Sequence, residues 1–146
     1  MASMQFGAIN LDVPDDWEDQ SVITLVKRPK AMAGVRDLTR NLMISRAPAD
    51  GTFDGDALAE IQMESLKAAL DDLEVVDEGT LEIGEHSART REIRFSTPEK
   101  GLVQQLHVHV LHGAYAYTIV GTGSAGLAFD GLRKDLLKIV SSFSVE

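Results

Sequence analysis

Short runs in which hydrophobic and polar residues alternate predict that much of this chain is β-structure. Between residues 9 and 13, Ile, Leu and Val alternate with Asn and Asp, which is the two-residue period of a half-buried strand. Similar runs predict strands over 21–27, 38–46, 74–83, 89–96, 102–112 and 114–121. Gly79 and Gly84 are expected to mark turns at the run 74–83.

Two longer segments have the spacing of amphipathic helices. The first covers residues 57–73, and its apolar stripe contains Leu58, Ile61, Leu66, Leu70 and Leu73. The second begins after Ser124, which is expected to cap it. Its apolar stripe consists of Phe129, Leu132, Leu136, Ile139, Val140 and Phe143.

Two predicted strands are semi-apolar on both faces. In 21–27, Ile23 and Leu25 share one face, and the other face has Val22, Thr24 and Val26. A strand of this kind is either covered on both sides or offers one side to a partner.

In 38–46, Leu42 and Ile44 oppose a face made of Asn41, Met43 and Ser45. A flexible thioether between an amide and a hydroxyl suits a surface that adapts to apolar helices. An ordinary solvent-facing strand face with one exposed methionine is equally consistent with these three residues.

Gln62 lies within the apolar stripe of the first helix, four residues after Leu58 and four before Leu66. An unpaired polar group there would cost about 1–3 kcal/mol, so the amide needs a partner. Either a neighbouring strand or a bound segment could supply it. Trp17, on the polar turn after Pro14, is expected to fold back over the edge of the core.

Length and composition narrow the class of protein. A chain of 146 residues without cysteine fits one domain that needs no disulfide. We assign the domain to residues 4–146 and expect residues 1–3 to be an expression remnant. The N-terminus lacks a basic segment followed by an apolar run, so neither a secretory signal nor a lipid anchor is predicted. A net charge of −9 argues against binding to nucleic acid or anionic lipid.

The sequence offers little for catalysis. It lacks cysteine, a G-x-S-x-G elbow and a metal-spaced cluster, so we predict a binding module without cofactor or metal and not an enzyme. His107 and His109 share one strand face and could supply two metal ligands, but partly exposed imidazoles are the expectation. The G-x-G-x-x-G letters at 121–126 are explained by a strand-to-helix turn. The arginines of 89–96 are expected to be solvated.

Four stretches together resemble a known family. They are the Pro-Asp-Asp-Trp-Glu-Asp-Gln-Ser turn at 14–21, Asn-Leu-Met-Ile-Ser-Arg at 41–46, the helix with Gln62, and the last helix ending in Ser-Ser-Phe-Ser-Val. Their order resembles the DcrB-related, PsbP-like domains, and within these the Eag chaperones of bacterial type VI secretion. The resemblance implies an α+β fold with a central antiparallel sheet and two main helices packed on it, an α/β/α sandwich.

The resemblance also implies a function. Eag chaperones are cytoplasmic homodimers that shield the N-terminal transmembrane helices of a secreted, PAAR-type effector without inserting into the membrane themselves. The family's apolar binding positions match Val22, Thr24 and Met43, and its hydrophilic ones match Asn41, Ser45, Gln62 and Gln105. Thr24 replaces a larger aliphatic residue and Asn41 a smaller hydroxyl, which would make the surface more polar.

A second interpretation stays open. The chain would then be a PsbP-like or DcrB-like domain that binds another folded protein or a small ligand and is unrelated to secretion.

Overall fold

In the residues that the structure describes, six antiparallel strands and two helices make up the main body of the protein. The computed structural model describes residues 2–6, 8–17, 22–26, 40–48, 55–70, 72–84, 86–99, 101–112 and 115–142. Its elements in chain order are β1 (Ala2–Phe6), β2 (Ile9–Val13), β3 (Ile23–Val26), β4 (Asn41–Pro48), α1 (Gly55–Ala69), β5 (Glu74–Ile83), β6 (His86–Thr97), β7 (Gly101–His112), β8 (Tyr115–Ser124) and α2 (Leu127–Ser141).

The strands form two sheets. The large sheet has the order β3-β4-β8-β7-β6-β5, and β1 pairs with β2 in a separate hairpin. Every pair of neighbouring strands in the large sheet is antiparallel. This confirms the expected central antiparallel sheet. Positive φ angles at Gly84 and Gly101 help to turn the chain between β5, β6 and β7.

Helix α2 covers one side of the large sheet, which we call the α2 face. Phe129, Leu132, Leu136 and Val140 are buried against strand residues. The strand residues of this core are Leu42, Ile83, Ala88, Leu106, Val108, Val110 and Ile119. A buried Glu92 carboxylate ties helix to sheet, because it accepts bonds of 2.6 and 2.8 Å from Arg133 and one of 2.7 Å from Gln104.

Helix α1 packs on the opposite side, which we call the α1 face. Met63 is buried in a cluster with Ile93 and Phe95 of β6 and Val103 of β7. Leu66, Leu70 and Leu73 pack at the edge of this cluster. The predicted apolar stripe is therefore confirmed for Leu66, Leu70 and Leu73, although α1 ends at Ala69. It is wrong for Ile61, which is 53 % exposed, because the helix turns Met63 toward β6 and β7 instead. The α1 core is centred on β6 and β7, to one side of the sheet.

Strand β5 forms one edge of the large sheet and is irregular. Its register with β6 shifts between Val75 and Asp77, as in a β-bulge. Gly79, predicted to mark a turn, instead lies within the strand opposite Thr90. That prediction is wrong because pairing with β6 continues through the glycine.

The glycines at 121–126 have two separate roles. Gly121 and Gly123 are strand residues that face Leu136 and Leu132 of α2, where an added Cβ would overlap those side chains. Gly126 has φ of 91° and precedes α2. Ser124 belongs to β8 and the N-cap position is Gly126, with no side-chain cap bond. The prediction that Ser124 caps the helix is therefore wrong.

Two further expectations concern the chain ends. Trp17 closes a turn by donating its backbone N–H to the Pro14 carbonyl at 3.1 Å, but its side chain is 69 % exposed. It follows the β1–β2 hairpin, which is separate from the large sheet, so the prediction of a plug over the core edge is wrong. Ala2 and Ser3 pair with Val13 and Asp12, while Phe143 lies outside the described residues.

The close approach of α2 to β8 predicts that Gly121→Ala is destabilising. The new Cβ would lie 2.6 Å from Cδ2 of the buried Leu136 and would also meet its Cδ1. Overpacking of this kind should lower the free energy of unfolding by about 1–3 kcal/mol, measured by urea denaturation. Gly131→Ala is the control, since that helix position has open space around it and should gain up to about 1 kcal/mol. Equal effects at both positions would contradict this packing.

Candidate functional site

All seven residues proposed from the sequence lie on, or over, the α1 face. Cross-strand pairing aligns Thr24 with Met43 and Met43 with Val120, and alternation adds Asn41 and Ser45 to the same face. Val22 directly precedes β3, in step with Thr24. The pairs Gln105–Thr122 and Thr122–Asn41 add Gln105. Gln62 reaches this face from α1.

Three cross-strand rows run over β8, β4 and β3 on this face. The central row is largely apolar, with Val120, Met43 and Thr24. One flanking row is polar, with Thr122 and Asn41 leading to Val26. The other flanking row contains Thr118 and Ser45. We call these eight residues together with Val22 the open strip.

The open strip is accessible because α1 packs over β6 and β7. Met43 is 44 % exposed, and Val22, Thr24 and Val26 are exposed as well. Asn41, Ser45, Val120 and Thr122 are half-buried. Beside α1, the strands β8, β4 and β3 therefore carry exposed apolar side chains that lie between polar ones.

The two glutamines beside the strip each bond to a threonine of β8. Gln62 donates from Nε2 to Thr118 Oγ1 at 3.3 Å, and Gln105 donates from Nε2 to Thr122 Oγ1 at 3.1 Å. The Gln62 amide thus finds its partner on a neighbouring strand, which was one of the two interpretations of the sequence. Its role in binding a partner stays a prediction.

His107 and His109 lie on the α1 face but are deeply buried, with 4 % and 1 % of their surface exposed. The prediction of partly exposed imidazoles is wrong, because α1 and the neighbouring strands enclose them. Burial lowers the pKa of His107 to about 4, assisted by the adjacent His109 and Arg91. Burial also lowers the pKa of His109 to about 4, again with Arg91 contributing. Both rings are therefore neutral near pH 7.

Arg91 departs from the sequence expectation in the same region. It is 3 % exposed and donates to the Ala59 carbonyl at 2.7 Å, to Glu78 at 2.9 Å and to Glu60 at 3.3 Å. The prediction of solvated arginines is thus wrong for Arg91, since α1 covers it and supplies two of these acceptors. The bonds satisfy a charge that would otherwise be costly to bury.

The described residues contain no group of three or more His, Cys, Asp or Glu side chains that could hold a metal ion. The rings of His107 and His109 are 6.2 Å apart between centroids. His112, on the opposite face, packs instead against His86 at 4.8 Å. The two histidines of the α1 face belong to its hydrogen-bond network.

Sequence reasoning missed the contribution of β8. Thr118, Val120 and Thr122 form one edge of the open strip, and two of them hold the glutamines. Their alternation with Tyr117 and Ile119 was visible in the sequence. Nothing in that pattern showed which strands would flank β8.

Two clefts lined by described residues lie on the α2 face. One is apolar and lies between α2 and the β3–β4 pair, lined in part by Leu25, Leu42, Leu136 and Ile139. The other includes Thr90, Glu92 and Arg133. The open strip itself is an extended surface on the other side of the sheet. Neither of the helices in the described residues is long and apolar enough to cross a membrane.

The lowered pKa values predict acid sensitivity of the fold. Unfolded histidine binds a proton near pH 6.5, whereas the native rings stay neutral down to about pH 4. The free energy of unfolding should therefore fall as pH drops through this window, by about 1.4 kcal/mol per unit for each histidine. Urea denaturation at pH 7 and pH 5 measures the loss. In the His107→Gln variant, this loss between pH 7 and pH 5 should be smaller by about 2 kcal/mol. If the variant were as acid-sensitive as the original protein, His107 would not be buried as a neutral ring.

Comparison with solved structures shows the same fold elsewhere. PA94 from Pseudomonas aeruginosa, a protein of unknown function described as a candidate regulator, is similar with a TM-score of 0.79 and 14 % identity, covering 100 % of this chain and 97 % of that one. Cyanobacterial PsbP (CyanoP) from Synechocystis sp. PCC 6803 is similar with a TM-score of 0.55 and 12 % identity, covering 93 % and 99 %. At these identities the likeness shows the fold alone, which is PsbP-like.

Sequence comparison identifies the family. None of the curated proteins matches the chain. The DcrB family profile matches residues 9–142, a segment that includes β2 to α2 and every residue of the open strip. With nearly the whole of its 146 residues matched, the protein belongs to the DcrB family.

Proposed function

We propose that this DcrB-family protein is a cytoplasmic chaperone that shields the N-terminal transmembrane helices of a PAAR-type effector of type VI secretion. Family membership and the PsbP-like fold favour a protein-binding role. The observation that carries the proposal is the open strip, where exposed Met43 and Val22 lie among side chains able to form hydrogen bonds. The resemblance to Eag chaperones supplies the client.

The dimensions of the strip suit one helix. Three neighbouring strands span two inter-strand spacings, roughly 9–10 Å, and an α-helix with its side chains is about 10–12 Å wide. A helix laid along β4 would contact the strip on one side and α1 on the other. Burial of its apolar side chains supplies the affinity, as in other helix-in-groove complexes.

The polar rows suit a helix taken from a membrane. Transmembrane helices pack through small residues and use Ser, Thr, Asn and Gln to bond across helices. Asn41 and Gln105 on one side, and Ser45 and Gln62 on the other, offer such groups at the borders of the apolar row. A purely apolar strip would leave the polar groups of the client unpaired.

The acidic charge of the chaperone supports the same role. A net charge of −9 repels anionic lipid headgroups, so a bound helix is held away from the membrane surface. We further propose that the protein works as a homodimer, because Ile23 and Leu25 of β3 are exposed on the α2 face and offer a second apolar surface.

The apolar cleft between α2 and the β3–β4 pair supports a second candidate function. A small apolar ligand or another folded protein bound there would involve Leu25 and Ile139 and leave the open strip unused. The neighbouring gene discriminates between the candidates: an effector with N-terminal hydrophobic segments and a PAAR domain favours the chaperone.

The chaperone function predicts that Met43→Asp and Val22→Asp abolish co-purification of an effector's N-terminal fragment. Both side chains are exposed in the free protein, so folding should be intact, but a carboxylate buried under an apolar helix is unfavourable. We expect at least a tenfold loss of retained fragment, on the order of 1.4 kcal/mol or more.

Leu102→Asp is the matched control. Val22 and Leu102 have similar exposure, 46 % and 48 %, but Leu102 of β7 lies on the α2 face. The control should retain the fragment at the original level. If Leu102→Asp abolished binding and the two strip variants did not, the fragment would bind to the α2 face and the assignment of the open strip would be wrong.

A further inference from the structure

The side-chain amide of Gln105 is held between two partners. His107 Nε2 lies 2.9 Å from Gln105 Oε1, two residues along the same strand. On its other side, Gln105 Nε2 donates to Thr122 Oγ1 at 3.1 Å across the β7–β8 pair. One end of the amide is thus bound to a buried ring and the other to the border of the open strip.

The protons of this chain of bonds can be assigned. An amide oxygen only accepts, so the Nε2 atom of His107 must carry the proton and donate it. A neutral ring then keeps its lone pair on Nδ1. The amide nitrogen of Gln105 has two N–H groups, and among the described residues one of them bonds to Thr122. The side chain is half-buried, which leaves the second N–H for a bound partner.

We propose that His107 is a positioning residue that fixes the amide of Gln105, so that the border of the open strip presents an N–H donor. This inference rests on the proposed function and adds to it a requirement on the client. A helix bound to the strip needs a side-chain oxygen, from Ser, Thr, Asn or Gln, opposite Gln105.

The reversed amide is the competing arrangement. It would place the NH₂ group against His107 and the oxygen against the Thr122 hydroxyl, and the ring would then carry its proton on Nδ1. The border of the strip would present an acceptor in place of a donor. The tautomer of His107 therefore reports which arrangement the protein has.

The first test is made on the free protein and needs no ligand. Nitrogen-15 NMR of the histidine side chains at pH 7 distinguishes the two neutral tautomers. A protonated Nε2 at His107 is expected. A protonated Nδ1 would overturn the proposal, whether or not the protein proves to be a chaperone.

The second test measures selectivity for the client. Two Leu/Ala-rich helices of about 20 residues, identical except for a central Ser or Ala, are fused to a carrier protein and co-expressed with the chain. The original protein should retain the Ser helix roughly two- to tenfold better than the Ala helix, as expected for one net hydrogen bond. If the protein retained neither helix, the proposed chaperone function would be contradicted. The tautomer of His107 would still decide whether His107 positions Gln105.

Variants separate positioning from simple stability. His107→Gln keeps a donor and should keep the preference for the Ser helix. His107→Leu removes the donor and should lose that preference while it retains the Ala helix like the original protein. Gln105→Met has a similar length but neither an N–H donor nor an oxygen that could accept from the Ser hydroxyl. It should therefore also lose the preference, and it does not depend on His107→Leu folding. Persistence of the preference in Gln105→Met would show that Gln105 is not the donor.

Discussion

The limited width of a helix relative to the sheet determines which part of the sheet stays accessible. Six strands spaced about 4.8 Å apart span roughly 24 Å, whereas one helix covers about 10 Å. Among the described elements, α2 covers one face of the sheet and α1 the other. Helix α1 lies over β6 and β7, so β8, β4 and β3 are left with their α1-side residues accessible. The open strip follows from this shortage of cover.

The two faces of the sheet reach their packing by different means. On the α2 face, glycines at 121 and 123 let the helix approach closely, and an apolar core lies beside the buried Glu92 and Gln104. On the α1 face, Arg91 and both histidines are buried among polar partners. Polar groups that are buried and satisfied are held in defined orientations. The α1 face therefore combines a rigid hydrogen-bonded part under the helix with an accessible part beside it.

Much of this arrangement was predictable from alternation alone. The sequence pattern placed Asn41, Met43 and Ser45 together on one face of a strand, and Val22 and Thr24 together on one face of the preceding strand. Both groupings match the register of β3 and β4. The apolar stripe of α2 was also predictable, with four of its residues buried. Both results depend on local geometry, since the side-chain period of a strand or helix is fixed by the backbone.

Predictions that depended on tertiary neighbours were less successful. Exposed and buried histidines look the same in a sequence, and only the position of α1 distinguishes them. The same applies to Arg91, whose acceptors come from α1 and β5. The prediction for Trp17 was wrong for the opposite reason, because its side chain stays exposed after a hairpin that does not pair with the large sheet. The partnership of β8 with β4 required a pairing between residues that are 67 positions apart at Pro48–Tyr115 and 81 at Asn41–Thr122.

The irregular register of β5 bears on how the sheet can grow. A bulge between Val75 and Asp77, with the acidic Glu74, Asp77, Glu78 and Glu82 along the strand, discourages another chain from adding there. Strand β3, at the opposite edge, pairs with β4 in regular register over its four residues. With addition disfavoured at β5, the large sheet can be extended at one edge at most, whereas a fibril adds strands in an unbroken series.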